Sequence, residues 1–317
     1  MVSRTEPTVR RALITGVRGF TGGYMRDELL GAGYDVVGTL LASAGPDECT
    51  LDVTSLEQCR RVIDEVRPTQ IIHFAASSFV ADDDALDMYR VNVLGTLNLL
   101  QACSDVGHRP DKILIASSAN IYGNTAGVLE ENFAPAPVSH YGASKVAMEH
   151  LVRTWFDRLP IVITRPFNYT GCGQSERFLV PKIVSCFAQR RPFIELGNLD
   201  VARDFSDVRA VARIYRALME GDAVGEVVNV CSERPYTLNE VVEIVRQASG
   251  HDLEVRVNPS FVRTNEVKVL VGSAAKLRRL VPNALPISFP ETIEWMLANR
   301  AAMADTGARA PSTSSPP

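Results

Sequence analysis

The first half of this chain alternates short, unbroken β-branched runs with longer amphipathic stretches, and this pattern restricts its fold more than any other feature. A strand that is apolar on both sides has no face to give to water, so it must be covered above and below. Helical crossovers between parallel strands provide that cover. Residues 11–15, 35–39, 70–74, 112–116 and 161–164 are the predicted strands, and 21–32, 55–66, 84–104 and 141–158 the predicted helices. The pattern predicts an α/β fold with a doubly wound parallel sheet. From Phe167 the text changes: residues 168–175 read as turn chemistry rather than a strand, and the later helices are irregularly spaced. A smaller substrate-facing α/β domain is expected there. The run 227–230 reads as one more buried strand, so the two domains are expected to interleave. The expected division is 1–168, with a return segment near 204–232, and 169–300. The tail 301–317, rich in Ala, Ser and Pro without periodicity, is expected to be disordered.

A length of 317 residues suits one large domain or two intimately joined ones. The formal charge of −4 gives no reason to expect a nucleic-acid or anionic-membrane surface, so an anionic ligand must be met by a few placed Arg and Lys. Six scattered cysteines without a CxxC pair suggest free thiols in a reducing compartment. The opening MVSRTEPTVRR lacks the apolar core of a signal peptide, and no stretch approaches membrane-spanning length. A cytoplasmic protein is expected.

Gly16, Gly19 and Gly22 follow the first predicted strand and open a helix. Small residues there let the backbone approach a pyrophosphate, which then sits on the free N–H groups of the helix. A glycine-rich connector would look similar; the place at the head of an alternating chain favours a dinucleotide loop and a Rossmann-type sheet. Phe20 and Thr21 complete that loop. An acid at the end of the second strand would bind the ribose of NAD and repel the 2′-phosphate of NADP. Residues 36–43 supply none, and Arg18 in the loop is expected to offer the phosphate a cation. NADP(H) is therefore favoured, with NAD(H) as the alternative. Asp52, followed by Val53, is a candidate for the adenine amino group, or simply a helix cap. Ala75 and Ala76 follow the third strand, where small side chains let the chain pass close to a cofactor.

Tyr141 and Lys145 stand four apart, on one helical face. A neighbouring ammonium is expected to lower the phenol's pKa toward the working range, and the same lysine can hold the nicotinamide ribose. Ser118, just after the fourth strand, is positioned to hydrogen-bond the reacting oxygen. A tyrosine and lysine at this spacing mean little alone. The order glycine loop, Ala75-Ala76, Asn92, Ser118, Tyr141, Lys145 means much more.

The segments TGVRGFTG (15–22), HFAA (73–76), VNVLGT (91–96), SSANIYG (117–123), YGASK (141–145) and TRPFN (164–168) carry that order. Together they resemble the extended short-chain dehydrogenase family of nucleotide-sugar epimerases, dehydratases and reductases, over about residues 11–300. The stretches 167–174, 197–208 and 262–267 resemble its GDP-mannose branch, most closely the GDP-4-keto-6-deoxy-mannose reductases. The resemblance implies that Asn92 and Pro166 join the cofactor site. It also implies that Ser78, Asn168, Lys182, Arg203, Arg263 and Glu266 face a GDP-sugar or other nucleotide-sugar. For each arginine a surface ion pair, such as Arg203 with Asp204, is the competing and less favoured reading. A homodimer built on helices 84–104 and 141–158 is implied as well.

Dehydratases of this family carry a Glu two residues before the second tyrosine, here Tyr122, and often an adjacent Asp, because elimination needs an acid/base group. Ala119 and Asn120 stand there instead. The epimerising reductases have a cysteine at the Asn120 position. What remains is a site able to move a hydride and one proton, which matches a 4-ketoreductase. The resemblance then implies a GDP-6-deoxyhexose product, GDP-D-rhamnose first and its 4-epimer GDP-6-deoxy-D-talose equally compatible with these residues. A 4-epimerase with tightly bound NAD and a non-catalytic NADP-sensing protein are the alternatives. His73 and His140 lack a ligand cluster, and no metal is assigned.

Overall fold

A computed structural model of the chain describes residues 10–42, 45–77, 85–261 and 268–299. Its strands are β1 (Arg11–Thr15), β2 (Asp35–Leu40), β3 (Glu48–Thr50), β4 (Gln70–His73), β5 (Lys112–Ala116), β6 (Val128–Leu129), β7 (Ile161–Pro166), β8 (Asn168–Thr170), β9 (Phe193–Leu196), β10 (Ala202–Asp207), β11 (Val227–Val230), β12 (Pro235–Thr237), β13 (Glu254–Val257) and β14 (Val269–Gly272). Its helices are α1 (Phe20–Gly31), α2 (Leu56–Val66), α3 (Ala85–Tyr89), α4 (Thr96–Asp105), α5 (His140–Arg153), α6 (Leu179–Ala188), α7 (Val208–Glu220), α8 (Leu238–Ser249), α9 (Ala275–Leu280) and α10 (Phe289–Ala298).

The six predicted strands, joined by β3, which the sequence pattern does not predict, assemble as a seven-stranded sheet in the order β11-β7-β5-β4-β1-β2-β3, with every pairing parallel. This is the expected Rossmann-type arrangement. Successive side chains alternate between its faces. Leu13, Ile71 and Ile113 pack with Val62, Leu99 and Met148 of α2, α4 and α5. Ile14, Ile72 and Leu114 pack with Met25, Leu29 and Tyr215 of α1 and α7. All these side chains are at most 1% exposed, and each fully buried aliphatic one contributes about 1.5–3 kcal/mol to folding. The chain runs outward through β2 and β3, then crosses back to β4 on the other side of β1. That reversal opens a crevice at the C-terminal ends of β1 and β4.

A smaller sheet runs β12-β10-β14-β6, with β8 also on β10, and β9 pairs with β13. Helices α6, α8 and α10 cover this layer through Phe187, Val241 and Ile293, packed on Phe205 and Tyr236. Capping boxes start α8 (Thr237 with Glu240) and α10 (Ser288 with Glu291). Helix α7 and strand β11 belong to the large layer although they follow β8 and β10 of the smaller one.

Three local expectations need correction. Residues 168–170, read as turn chemistry, form β8, because Asn168, Tyr169 and Thr170 find partners in Phe205, Ser206 and Asp207 some 37 residues on. The predicted helix 84–104 is interrupted: its described part is α3, a π-helical turn at Arg90–Gly95, then α4. The predicted helix 141–158 ends at Arg153, and turns bonded back to residues 151–155 follow. The tail 301–317 lies outside the described residues.

Candidate active site

The loop after β1 is shaped by two close approaches. Gly16 has φ +73°, and a Cβ there would lie 3.2 Å from the Ala75 backbone nitrogen, so the ends of β1 and β4 touch through main chain alone. A Cβ on Gly22 would fall 2.4 Å from the Gly16 carbonyl oxygen. Helix α1 starts at this loop with Gly19 as its N-cap, no side-chain cap and no acidic residue in its first turn. Its partial positive end is therefore not neutralised locally. A cradle that any Cβ would fill, closed by an uncapped helix, fits a dinucleotide's pyrophosphate. Phe20 and Thr21 also reach β8: Phe20 stacks on Tyr169 at 6.1 Å between ring centroids, and the Thr21 and Tyr169 hydroxyls are 2.7 Å apart. Tyr169 carried no signal in the sequence, because only the β8–β10 pairing brings it here.

The opposite rim is fastened by a chain of buried hydrogen bonds. The Thr15 hydroxyl oxygen accepts from the Phe74 and Ala75 N–H groups at 3.1 and 3.0 Å. Its own proton then goes to His73 Nδ1, 2.8 Å away. His73 Nε2–H in turn donates to Thr96 at 3.0 Å, and Thr96 donates to the Asn92 carbonyl. Burial, with Lys145 nearby, pushes His73 down to about 3, so the ring stays neutral. Asn92 accepts from the Ser77 N–H and donates to the Ser77 carbonyl, both at 2.9 Å, and donates to the Ser144 hydroxyl at 3.0 Å. It therefore clamps the segment after Ala75 and Ala76 to α5. Asp52 accepts from the Thr54 N–H and hydroxyl ahead of α2, and Val53 is buried against Gly95. Pro166 is buried at the end of β7, opposite Val230. Ser78 lies outside the described residues.

Arg18 is not the unopposed cation expected. Its guanidinium meets Glu48 at 2.7 and 3.2 Å. Strand β3 pairs beside β2 with Glu48 opposite Gly38, so an acid arrives at this place from the next strand. The end of β2 has none of its own, and a search confined to that strand misses it.

Tyr141, Lys145 and Ser118 converge at the ends of β5 and α5. Ser139 caps α5 by accepting from the Gly142 N–H, which places Tyr141 in the first turn and Lys145 one turn later. Lys145 Nζ donates to the Ala116 carbonyl at 2.8 Å and lies 5.9 Å from the Tyr141 ring centroid. Ser118 accepts from the Asn120 N–H, and its hydroxyl is near enough to Tyr141 to lower the phenol's pKa somewhat. The expected acidification of the phenol is not found. Surrounding protein pushes Tyr141 up to about 12, and Ser118 only partly opposes this. Burial instead lowers Lys145 to about 8, with Glu149 opposing. Desolvation outweighs a cation turned toward a carbonyl. At neutral pH the pair is thus a protonated phenol beside an ammonium, able to deliver one proton to an oxygen in the crevice.

Behind Lys145 lies a buried ion network that sequence reading missed. Glu149 and Arg165, both at most 3% exposed, form a two-pronged pair at 2.6 and 2.9 Å. Arg165 also donates to the Tyr122 hydroxyl, which donates to Asn229 Oδ1. Of the residues expected to face substrate, Asn168 is exposed at the start of β8. Arg203 lies on β10 opposite Tyr236 and donates to the Ala202 carbonyl. Its neighbour Asp204 is fully buried, accepting from the Ser232 N–H and hydroxyl and the Glu233 N–H, on the face of β10 opposite to Arg203. Lys182 on α6 donates to the Glu195 carbonyl and sits 4.9 Å from the Phe261 ring centroid. Arg263 and Glu266 lie outside the described residues. Among the described residues no cluster of three His, Cys, Asp or Glu could hold a metal ion.

A parallel sheet with a glycine cradle at its switch point and a Tyr–Lys–Ser set beside it defines a dinucleotide-binding protein of the short-chain dehydrogenase type. The chain belongs to the GDP-mannose 4,6 dehydratase family, whose model matches residues 13–296. It is 34% identical over 295 residues to a GDP-6-deoxy-D-talose 4-dehydrogenase of Aggregatibacter actinomycetemcomitans, covering 92% of this chain and 98% of that one. It is 30% identical over 280 residues to a GDP-6-deoxy-D-mannose reductase of Pseudomonas aeruginosa, covering 84% and 90%. The crystal structure of a provisionally named epimerase from Burkholderia cenocepacia J2315 superposes with a TM-score of 0.87 at 47% identity, covering 93% and 98%. The structure of RMD from Pseudomonas aeruginosa complexed with NADPH superposes with a TM-score of 0.80 at 27% identity, covering 91% and 98%.

Proposed function

We propose that this protein uses NADPH to reduce the C4 ketone of a GDP-linked 4-keto-6-deoxyhexose, forming GDP-D-rhamnose or GDP-6-deoxy-D-talose. The observation that carries this reading is the contrast within one crevice. A proton donor, Tyr141, stands beside Ser118, while the turn Ala119–Tyr122 that follows Ser118 offers no carboxylate or thiol for elimination or epimerisation. The two curated relatives, named for a 4-dehydrogenase and a reductase of GDP-6-deoxyhexoses, support the same chemistry.

The dinucleotide supplies the hydride. Gly16, Gly19, Phe20, Thr21 and Gly22 hold its pyrophosphate, Ala75 and Ala76 let it lie close, and Asn92 keeps that rim in place. As C4 gains hydride, its oxygen takes the Tyr141 proton, with Ser118 donating to the same oxygen. Lys145 steadies the phenolate that forms until solvent reprotonates it. A phenol raised to about 12 is fully protonated at neutral pH, the form that reduction consumes. Asn168, Lys182, Arg203, Arg263, Glu266 and Ser78 are assigned to the nucleotide-sugar, with guanidinium groups suited to its diphosphate.

No described helix is long and apolar enough to cross a membrane, and a cytoplasmic location is part of the proposal. So is a homodimer through the α3–α4 and α5 region, where Leu86 and Leu94 are 76% and 51% exposed. Light scattering giving a single-chain mass would remove the dimer.

The decisive experiment offers GDP- and dTDP-4-keto-6-deoxyhexoses with NADPH and identifies the product by NMR. Tyr141→Phe is expected to lower turnover about 10²–10⁴-fold while NADPH still binds. Wild-type protein that binds NADPH but reduces neither sugar would end this reading.

A further inference from the structure

Glu48 occupies an unusual place for a carboxylate. It comes from β3, and the parallel register with β2 sets it opposite Gly38, against the glycine loop. Arg18 Nη2 donates to Glu48 Oε2 at 2.7 Å and Nε donates to Oε1 at 3.2 Å, so both prongs of the guanidinium's inner edge are engaged. The carboxylate is itself anchored, because Oε2 also accepts from the Gly45 N–H at 2.9 Å. Its side chain is 15% exposed, against 56% for Arg18. The pair is therefore an anchored carboxylate holding a more exposed cation beside the glycine loop.

We propose that Glu48 is a specificity-determining residue that competes with the 2′-phosphate of NADP for Arg18, and so narrows the preference between NADP and NAD. The inference rests on reading the crevice as a dinucleotide site. A 2′-phosphate can use Arg18 only by drawing it away from Glu48 or by sharing it. Sharing leaves a carboxylate beside a dianion, and like charges at that separation repel. The 2′-hydroxyl of NAD is neutral and makes no demand on Arg18. Arg18 therefore gives NADP less than an unopposed arginine would. Hydrogen bonding by Arg18 and Gly45, aided by Arg26, holds the Glu48 carboxyl below its ordinary range, so the competitor stays charged at neutral pH.

Calorimetric titration of the intact protein with NADPH and with NADH, each alone, tests this. Glu48→Gln is expected to raise the ratio of NADH Kd to NADPH Kd by about five- to tenfold. Glu48→Asp, shorter by one methylene, should fall between, which keeps the test alive if the glutamine variant folds poorly. In an Arg18→Ala background the same Glu48→Gln change should move the ratio by less than about twofold, since the object of competition is gone. A ratio unchanged in Glu48→Gln, or a rise that persists without Arg18, overturns the proposal while leaving the dinucleotide site intact. Folded wild-type protein that binds neither nucleotide overturns both.

Discussion

Lys145 shows how one residue's environment sets a pH dependence. Its ammonium is enclosed by α5 and the end of β5, with the Ala116 carbonyl and Met148 sulfur as its nearest polar partners. Glu149 faces it from the same helix and neutral His73 from β4, and Arg165 on β7 holds Glu149. With Lys145 near 8 and Tyr141 near 12, the first group lost on raising the pH is the ammonium. The kcat/KM for ketone reduction is expected to fall as pH rises through about 8; a profile flat to pH 10 would reject this assignment. The stability effect has the opposite direction. Lys145 is depressed from 10.5 in the folded chain, so between about 8 and 10.5 the unfolded chain binds more protons and stability increases with pH. Lys145→Met should therefore match or exceed the wild-type melting temperature at pH 7 while turnover collapses. A large drop in melting temperature would instead mark the lysine as structural. The Tyr–Lys spacing is legible in the chain as written; the two pKa values are not, because they belong to the cavity around the pair.

At the scale of elements, the π-helical turn Arg90–Gly95 is the device that reaches the site. An extra residue in the turn re-aims side chains relative to a regular helix. Here it turns the Asn92 amide onto Ser77 and Ser144 while Gly95 allows contact with Val53. Asn92→Ala would strand the Ser77 N–H and carbonyl and remove a partner of Ser144. A loss of about 1–3 kcal/mol in denaturant unfolding is expected, with weaker NADPH binding because the Ala75–Ser77 rim loosens. Unchanged NADPH affinity in a destabilised variant would show that the clamp serves folding alone. The sequence announces a helix here through its apolar spacing, but a π-turn has almost the same local pattern. What selects it is the set of partners waiting on β4 and α5.

Across the molecule, the Glu149–Arg165–Tyr122–Asn229 network ties α5, β7, the turn after β5 and β11 into one block behind the site. The Asn229 N–H adds Glu131 and its side-chain amide adds the Leu129 carbonyl, so the block reaches the smaller sheet through β6. A buried charge left without its partner typically costs about 3–5 kcal/mol, whereas removing both members costs far less. Glu149→Leu and Arg165→Met should each destabilise strongly, and the double variant should lose less than either single one. Additive losses in that double-mutant cycle would show that the two groups are not coupled.

What the sequence determined by itself are the features written in short-range spacing. Strand-length apolar runs require a covered parallel sheet, glycines at 16, 19 and 22 require a close main-chain approach, and a four-residue interval puts Tyr141 and Lys145 on one helical face. Tertiary structure alone decided the strand identity of β8, the arrival of Tyr169 beside Thr21, and the meeting of Arg18 with Glu48. It also decided that burial, rather than a neighbouring charge, governs Tyr141. The reason is physical. Local periodicity records which face of an element must avoid water, whereas partners and pKa values depend on what distant segments bring to that face once the chain has closed.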